Sequence, residues 1–324
     1  MNRSPLPATG TDPLPARALG IGWRSEICGI IAELAGIGFC EVIAETLAPM
    51  PNRTSRREGR LSGVFGSSRR GKQPELAVPE ELAALASRGV AVVPHGVSLS
   101  LGGAEPVQEH RVTHLAECAR VLGSPLVSEH IAFVRADGVE AGHLLPVPRT
   151  REALDALSSN ISRMQRELEV PLAVENIATL FEWPDAEFSE AEFLRELVDR
   201  TGVYLLLDIA NVYANARNRG RDPLTELLSL PTERLAYCHI AGGRESGGRY
   251  HDTHSHPVPA EVLALVAEFT RADSGTGEAG RPVPLMLERD GNYPPAAELV
   301  AELNAIAVAA RRPPITVGSG GRFA

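Results

Sequence analysis

The 324-residue sequence predicts a single α/β domain, a (β/α)8 TIM barrel. Three observations predict it. From Leu19 onward, short apolar runs alternate with amphipathic stretches eight times, over a length near the usual size for that fold. The apolar runs lack inside–outside alternation, as expected for parallel strands covered on both faces. No GxGxxG run follows the first strand, so a doubly wound dinucleotide-binding sheet has no support.

The elements follow in order. The run Leu-Gly-Ile-Gly-Trp at 19–23 reads as the first strand and 25–35 as its helix. Residues 39–45 form the second strand, whose helix near 79–87 comes only after a long insertion. A third strand at 90–95 leads to a helix at 109–122, and a fourth at 126–133 to a helix at 151–168. The fifth pair is 172–176 and 189–200. The sixth strand, 204–208, leads to a short helix at 224–228, and the seventh, 235–240, to a helix at 259–272. The eighth is 283–288, with 295–310 closing the chain. The domain is thus expected over 19–311, between a loose Pro-rich leader (1–18) and a flexible tail (312–324). The insertion at 49–78 is Gly-, Ser- and Arg-rich. It follows the second strand on the face where barrels carry their chemistry, and reads either as a floppy insertion or as a lid or docking strip.

Composition removes several classes of function. A net charge of −9 opposes general nucleic-acid or acidic-membrane binding. No run of about 18 apolar residues is present, and the leader lacks a signal peptide's apolar core. A cytoplasmic protein is the expectation. Cys28, Cys40, Cys118 and Cys238 are scattered without CxxC spacing and read as small buried hydrophobes.

The polar residues are informative by position, because barrel chemistry gathers at the C-terminal ends of the strands. The third strand ends in His95, the fourth in Glu129-His130 and the fifth in Glu175-Asn176. The sixth ends in Asp208, with Asn211 three residues on, the seventh in His239 and the eighth in Glu288. After the seventh strand comes Tyr250-His251-Asp252-Thr253-His254-Ser255-His256-Pro257. Asp252 and His254 lie two apart, so in an extended segment both point one way. One such residue ending a strand is usually a satisfied structural group. Six successive strands so ended predict a metal site, because unpaired buried carboxylates are costly and cations remove the cost. Four histidines, four carboxylates and Asn211 are too many ligands for one ion, and imidazole with carboxylate suits iron, manganese or zinc. His110, His114, His143, His251 and His256 are weaker candidates.

Several ordered runs resemble a known family. They are Pro94-His95-Gly96-Val97-Ser98, Val127-Ser128-Glu129-His130, Leu144-Leu145-Pro146-Val147-Pro148, Val174-Glu175-Asn176, Leu207-Asp208-Ile209-Ala210-Asn211, His239-Ile240-Ala241-Gly242 and Asp252-Thr253-His254-Ser255-His256-Pro257. Over residues 19–308 the chain resembles the multinuclear non-haem iron-dependent oxidative enzymes, typified by the methanobactin-biosynthesis oxidase. The resemblance implies a barrel holding two or three irons (Fe2+ and Fe3+ together), with dioxygen as co-substrate. Such enzymes modify cysteine, and sometimes other residues, of ribosomally made precursor peptides, usually beside a companion protein. It also implies the ligand sets: His95 and His130 with bridging Glu175 for one metal, Glu175, Asp208, His239 and Glu288 for the second, and Asn211, Asp252 and His254 for the third. Glu129 and Arg289 are expected to orient a ligand or touch substrate, or else to form structural ion pairs. The chain departs from the family at the second strand, where Ile43-Ala44-Glu45-Thr46-Leu47 stands, and in its basic insertion. Rival readings are a zinc or manganese phosphodiesterase of the barrel endonuclease type, a two-metal sugar isomerase, and a non-catalytic scaffold.

Overall fold

In the computed structural model, which describes residues 12–47, 76–272 and 283–318, eight parallel strands close into a barrel. The strands are β1 (Leu19–Trp23), β2 (Phe39–Ile43), β3 (Ala91–Gly96), β4 (Val127–His130), β5 (Leu172–Glu175), β6 (Tyr204–Asp208), β7 (Leu235–Ile240) and β8 (Leu285–Leu287). They are buried almost throughout, which is why their sequences do not alternate. Leu19 pairs with Leu285 to close the ring. Register then sets the mouth: His239 lies beside Asp208, His130 beside Glu175, and His95 beside Ser128.

The outer layer holds α1 (Cys28–Glu33), α2 (Glu80–Ser87), α3 (Glu109–Leu122), α4 (Arg151–Glu167), α5 (Glu190–Thr201), α6 (Ile209–Asn218), α7 (Pro223–Ser229), α8 (Ala260–Ala272) and α9 (Ala296–Ala309). Local chemistry explains their starts. Ser189 and Glu192 form a reciprocal capping box on α5, and Thr150 and Asp222 cap α4 and α7. Two apolar clusters result. The larger one packs strands against helices; the smaller, from Leu14, Phe39, Val93, Leu126, Leu206, Tyr237 and Met286 among others, fills the barrel interior.

The structure departs from the sequence expectations in four places. The helix expected at 25–35 is a 3-10 turn followed by α1, and Leu34–Ala35 then pairs with Thr316–Val317. The fourth strand does not run on through Phe133. After β4 the chain forms a hairpin, Ala132–Ala136 with Val139–Pro146, turned by Asp137 and Gly138 at positive φ. The helix α6 follows β6 directly and was not anticipated, because residues 209–216 are buried all round and carry no charged residue to mark a solvent face. Finally, part of each expected loose end is packed: Leu14 is 2% exposed inside the barrel, Ile315 is buried, and Arg312 donates to the carbonyl of Ala18 at 2.7 Å. Of the basic insertion, residues 49–75 lie outside the described residues. None of the four cysteines is disulfide-bonded, and three are buried. No helix among the described residues is long and apolar enough to cross a membrane.

Because Leu14 fills the interior cluster rather than trailing in water, Leu14→Ala is expected to cost about 2–5 kcal/mol through the cavity it leaves. Urea unfolding of the two proteins measures the difference.

Candidate metal centre

The strand ends converge on a cavity of about 530 Å³ at the C-terminal mouth of the barrel. His95, His130, Glu175, Asn211, Asp252, His254 and Glu288 line it, while Asp208 and His239 lie fully buried at its base. All nine residues marked as ligands in the sequence are therefore brought together. Four groups of donor atoms each fit around one point: His95, His130 and Glu175; Glu175, Asp208, His239 and Glu288; Asp208, Asp252 and His254; and His254, Glu288 and Asp290.

Glu175 joins the first group to the second. Its Oε2 lies 3.5 Å from His95 Nε2 and 3.4 Å from His130 Nε2, and its Oε1 lies 3.2 Å from His239 Nδ1. His239 Nδ1 also faces Glu288 at 2.9 Å. Asp208 is divided in its duties. Its Oδ1 accepts from the Asn211 backbone N–H at 2.8 Å and caps α6, which leaves Oδ2 for the cavity. The Asn211 amide nitrogen donates to the Asn176 carbonyl, so the amide oxygen is the atom left for a cation.

The loop after β7 delivers the last ligands. Its backbone presses onto Gly242, where a Cβ would stand 2.2 Å from the Pro257 carbonyl oxygen. His254 is held at φ +49°, a conformation rarely adopted by side-chain-bearing residues, with its carbonyl accepting from the Asp290 N–H at 2.7 Å. Its Nε2 lies 2.6 Å from Asp252 and 3.4 Å from Asp208, and its Nδ1 3.1 Å from Glu288. The loop is anchored from outside the cavity: Asn218, at the end of α6, exchanges two hydrogen bonds with the Tyr250 backbone, at 2.7 and 2.8 Å.

Electrostatics make this cluster a cation site in waiting. Burial pushes the Asp208 carboxyl up, and Asp252 adds to it, to about 8. Burial opposes charge on His130, but Glu175 and Glu129 more than offset it and carry the imidazole to about 9. His239 and His254 are likewise raised, against burial, by the surrounding carboxylates. Even so, Glu175 Oε2, Asp208 Oδ2 and Asp252 Oδ1 are buried without a hydrogen-bond partner. Orphaned carboxylate oxygens aimed at imidazole nitrogens, with no thiolate lining the cavity, fit oxygen- and nitrogen-liganded metal ions.

Glu129 and Arg289 take the structural alternative, an ion pair each: Glu129 Oε1 lies 3.6 Å from His130 Nδ1, and Arg289 pairs with Glu302. Glu129 points back into the wall, accepting from the backbone N–H groups of Leu99 and His130 at 3.0 and 2.9 Å. Arg289 turns outward to Glu302 and to the Asn292 carbonyl, at 3.3 and 3.2 Å. Neither lines the cavity. In their place the structure supplies three residues passed over in the sequence. Asp290 joins His254 and Glu288. Arg24, just past β1, reaches Glu288 at 3.2 Å and Asp290 at 2.5 Å and offsets part of the negative charge. Glu41, fully buried in β2, accepts from His239 Nε2 at 3.0 Å and from the Tyr237 hydroxyl. Tyr237 is 2.8 Å from Ser128 Oγ, which is 2.8 Å from His95 Nδ1. One carboxylate thus fixes, directly or by relay, the ring nitrogens of two histidines that face away from the donor groups. The available signal was a lone carboxylate inside an otherwise apolar strand.

A parallel barrel whose strand ends gather imidazoles and carboxylates around shared points defines a barrel enzyme with a site able to hold several metal ions. Comparisons agree on the fold and sharpen the family. The solved structure of endonuclease IV from Thermus thermophilus superposes with a TM-score of 0.54 at 18% identity, over 90% of this chain and 99% of that one. A D-psicose 3-epimerase from Clostridium cellulolyticum does so with a TM-score of 0.50 at 13% identity, over 91% and 96%. These likenesses are of fold alone. Residues 73–311 match the family described as RiPP precursor modification enzyme MbnB/TglH/ChrH, and the chain belongs to that family. RiPPs are ribosomally synthesised and post-translationally modified peptides. A UPF0276 protein of Streptomyces avermitilis is 48% identical over 294 residues, covering 89% of this chain and 54% of its own length, so the chain spans about half of that relative. A UPF0276 protein of Bordetella bronchiseptica is 34% identical over 316 residues, covering 96% and 97%.

Two outcomes are expected from this geometry. Asp208 and His130, with acid constants near 8 and 9, hold protons at neutral pH in the metal-free chain. Metal uptake must displace them, so affinity rises as pH climbs toward 9 and falls below it. Calorimetry in buffers of different ionisation enthalpy counts the protons released. Glu41→Gln is expected to weaken metal binding by about 10–100-fold, the usual effect of losing a residue that orients a ligating histidine. Cobalt(II) titration of the metal-free protein, followed by its visible spectrum, measures it.

Proposed function

We propose that this chain is a multinuclear iron, dioxygen-dependent oxidase that modifies a cysteine, or another residue, of a ribosomally made precursor peptide. Membership of the precursor-modification family supports a peptide substrate. The observation that carries the finer reading is Glu175, whose two oxygens face different histidine sets and suit it to bridge two ions.

The residues divide the work. His95, His130 and Glu175 form a three-donor group open to the cavity, which leaves positions for substrate. Glu175, Asp208, His239 and Glu288 form a four-donor group at the buried base. Asn211, Asp252 and His254, with Asp208 shared, form a third on the loop. Iron held by these donors would supply affinity for a cysteine thiolate and the means to draw oxidising equivalents from dioxygen. Around it, Glu41 and the Tyr237–Ser128 relay hold the imidazoles in one orientation. Arg24 holds Glu288 and Asp290 in place. Ile43, Val97, Val134, Leu144 and Ile177 give the cavity apolar walls that limit water around the reacting side chain. A companion peptide-binding protein belongs to the same reading. The phosphodiesterase alternative is weakened by the net charge of −9, which repels a polyanionic substrate.

Protein purified without oxygen is expected to carry iron, and co-expression with a cysteine-containing peptide from a neighbouring reading frame is expected to change that peptide's mass only in air. His95→Ala should abolish the change. Zinc as the sole metal, with peptide modification indifferent to oxygen, would overturn the iron reading.

A further inference from the structure

The large apolar side chains left in water are unevenly placed. Among the described residues they are Val139, Leu180, Phe181, Trp183, Leu228 and Val308. Leu228 and Val308 lie singly on the outer helices α7 and α9. The other four sit on the two segments that rim the cavity: Val139 on the hairpin after β4, and Leu180, Phe181 and Trp183 on the loop after β5. That loop leaves the strand just past Glu175, and its first residues, Ile177 and Ala178, line the cavity wall. An apolar ledge therefore follows within a few residues of the cavity wall, beside the lining rather than within it.

The ledge is built rather than loose. The Thr179 N–H donates to Asn215 at 2.7 Å, and the Leu180 carbonyl accepts from Arg249 at 2.6 Å. Trp183 Nε1 donates to the Pro146 carbonyl at 2.8 Å, tying the loop to the base of the hairpin. Phe181 stands edge-on to Trp183, with ring centroids 5.3 Å apart. Between them Glu182 turns into a basic cluster, 2.8 Å from Arg149 and 3.0 Å from Arg221. A rigid segment that spends its ion pair on its own wall and shows rings to water is preorganised for an apolar ligand.

We infer that the ledge of Leu180, Phe181 and Trp183 seats an apolar side chain of the substrate peptide, close in sequence to the residue that enters the cavity. A cavity of about 530 Å³ admits a side chain or two but no folded domain, so the flanking peptide must lie across the rim. In an extended peptide, residues two apart point the same way about 7 Å from each other, which places the neighbour on the rim. Glu182 is drawn back toward Arg149, Arg219 and Arg221, so the large side chains that this segment leaves exposed are Leu180, Phe181 and Trp183. The inference rests on a peptide being the substrate, but not on iron or dioxygen.

The chain has two tryptophans, and Trp23 is buried in the core, so Trp23→Phe leaves Trp183 as the sole indole and a reporter of the rim. The probes are two short Gly/Ser peptides, each with one cysteine and, two positions away, either Phe or Ser. Titrations are done without oxygen, so no turnover intervenes. The Phe peptide is expected to shift Trp183 emission to the blue and to bind about tenfold more tightly than the Ser peptide, as burial of one aromatic side chain allows. A Leu180→Ser, Phe181→Ser variant, checked for an unchanged circular dichroism spectrum, should bind both peptides equally; if it fails to fold, the Trp183 shift decides alone. Equal binding by the parent chain, no binding of either peptide, or a Phe preference that survives the double substitution each overturns the inference. So does a dimer lost on the double substitution, which would give the ledge to a second copy of the chain. Loss of peptide oxidation in the earlier experiment, with the Phe preference intact, would sink the iron reading and leave this one standing.

Discussion

The constraint on which the rest depends is the crowding of carboxylates into a space from which water is largely excluded. Glu41, Glu175, Asp208 and Glu288 are buried, and Asp252 and Asp290 close in beside them. Each buried charge without a partner costs several kcal/mol. The fold offsets part of that cost internally, with four imidazoles raised toward their charged forms or placed within reach, and with the Arg24 guanidinium. It does not offset all of it, as the unpartnered oxygens of Glu175, Asp208 and Asp252 show. Such an arrangement is stable only because eight strands and a well-filled interior hold the groups where they are. The conflict among them is what a bound cation would relieve.

Barrel geometry makes the arrangement possible. Parallel strands in register bring neighbouring ends to one level, so that His130 meets Glu175 and His239 meets Asp208 without any long-range search. The interior cluster around Leu14, Phe39 and Met286 seals the opposite end, which leaves a single open mouth among the described residues for the site. The hairpin after β4 and the loops after β5 and β7 then supply cavity walls and ligands, and the scaffold beneath them need not change.

Much of this was legible in the sequence, for a physical reason. A strand buried on both faces reads as an apolar run, and a polar residue that ends such a run stands out. That is how His95, Glu175, Asp208, His239 and Glu288 could be marked. At Glu129 and Arg289 the sequence left substrate contact and a structural ion pair both open, and the structure shows the ion pairs. Glu129 and His130 are successive residues of β4 and point to opposite faces, so only one of them can face the mouth, whereas Arg289 lies past the end of β8 and turns to Glu302. The period-2 rule was enough to place Glu129. Glu41 escaped because it lies within a strand rather than at its end, and its partners Tyr237 and Ser128 are remote in sequence. Arg24 gave no signal either, since its partners lie more than two hundred residues away. The helix α6 was hidden by its complete burial, and the hairpin by an apolar run that continues past the barrel.

The bracing of Tyr250 by Asn218 has a further consequence. The helix that begins on the Asp208 carboxylate ends by fastening the segment that carries Asp252 and His254, so both halves of the third donor group hang from one rod. A displacement of that helix would carry Asp208, Asn211, Asp252 and His254 together, and a change at its far end, as at Asn218, reaches the cavity through both of its walls.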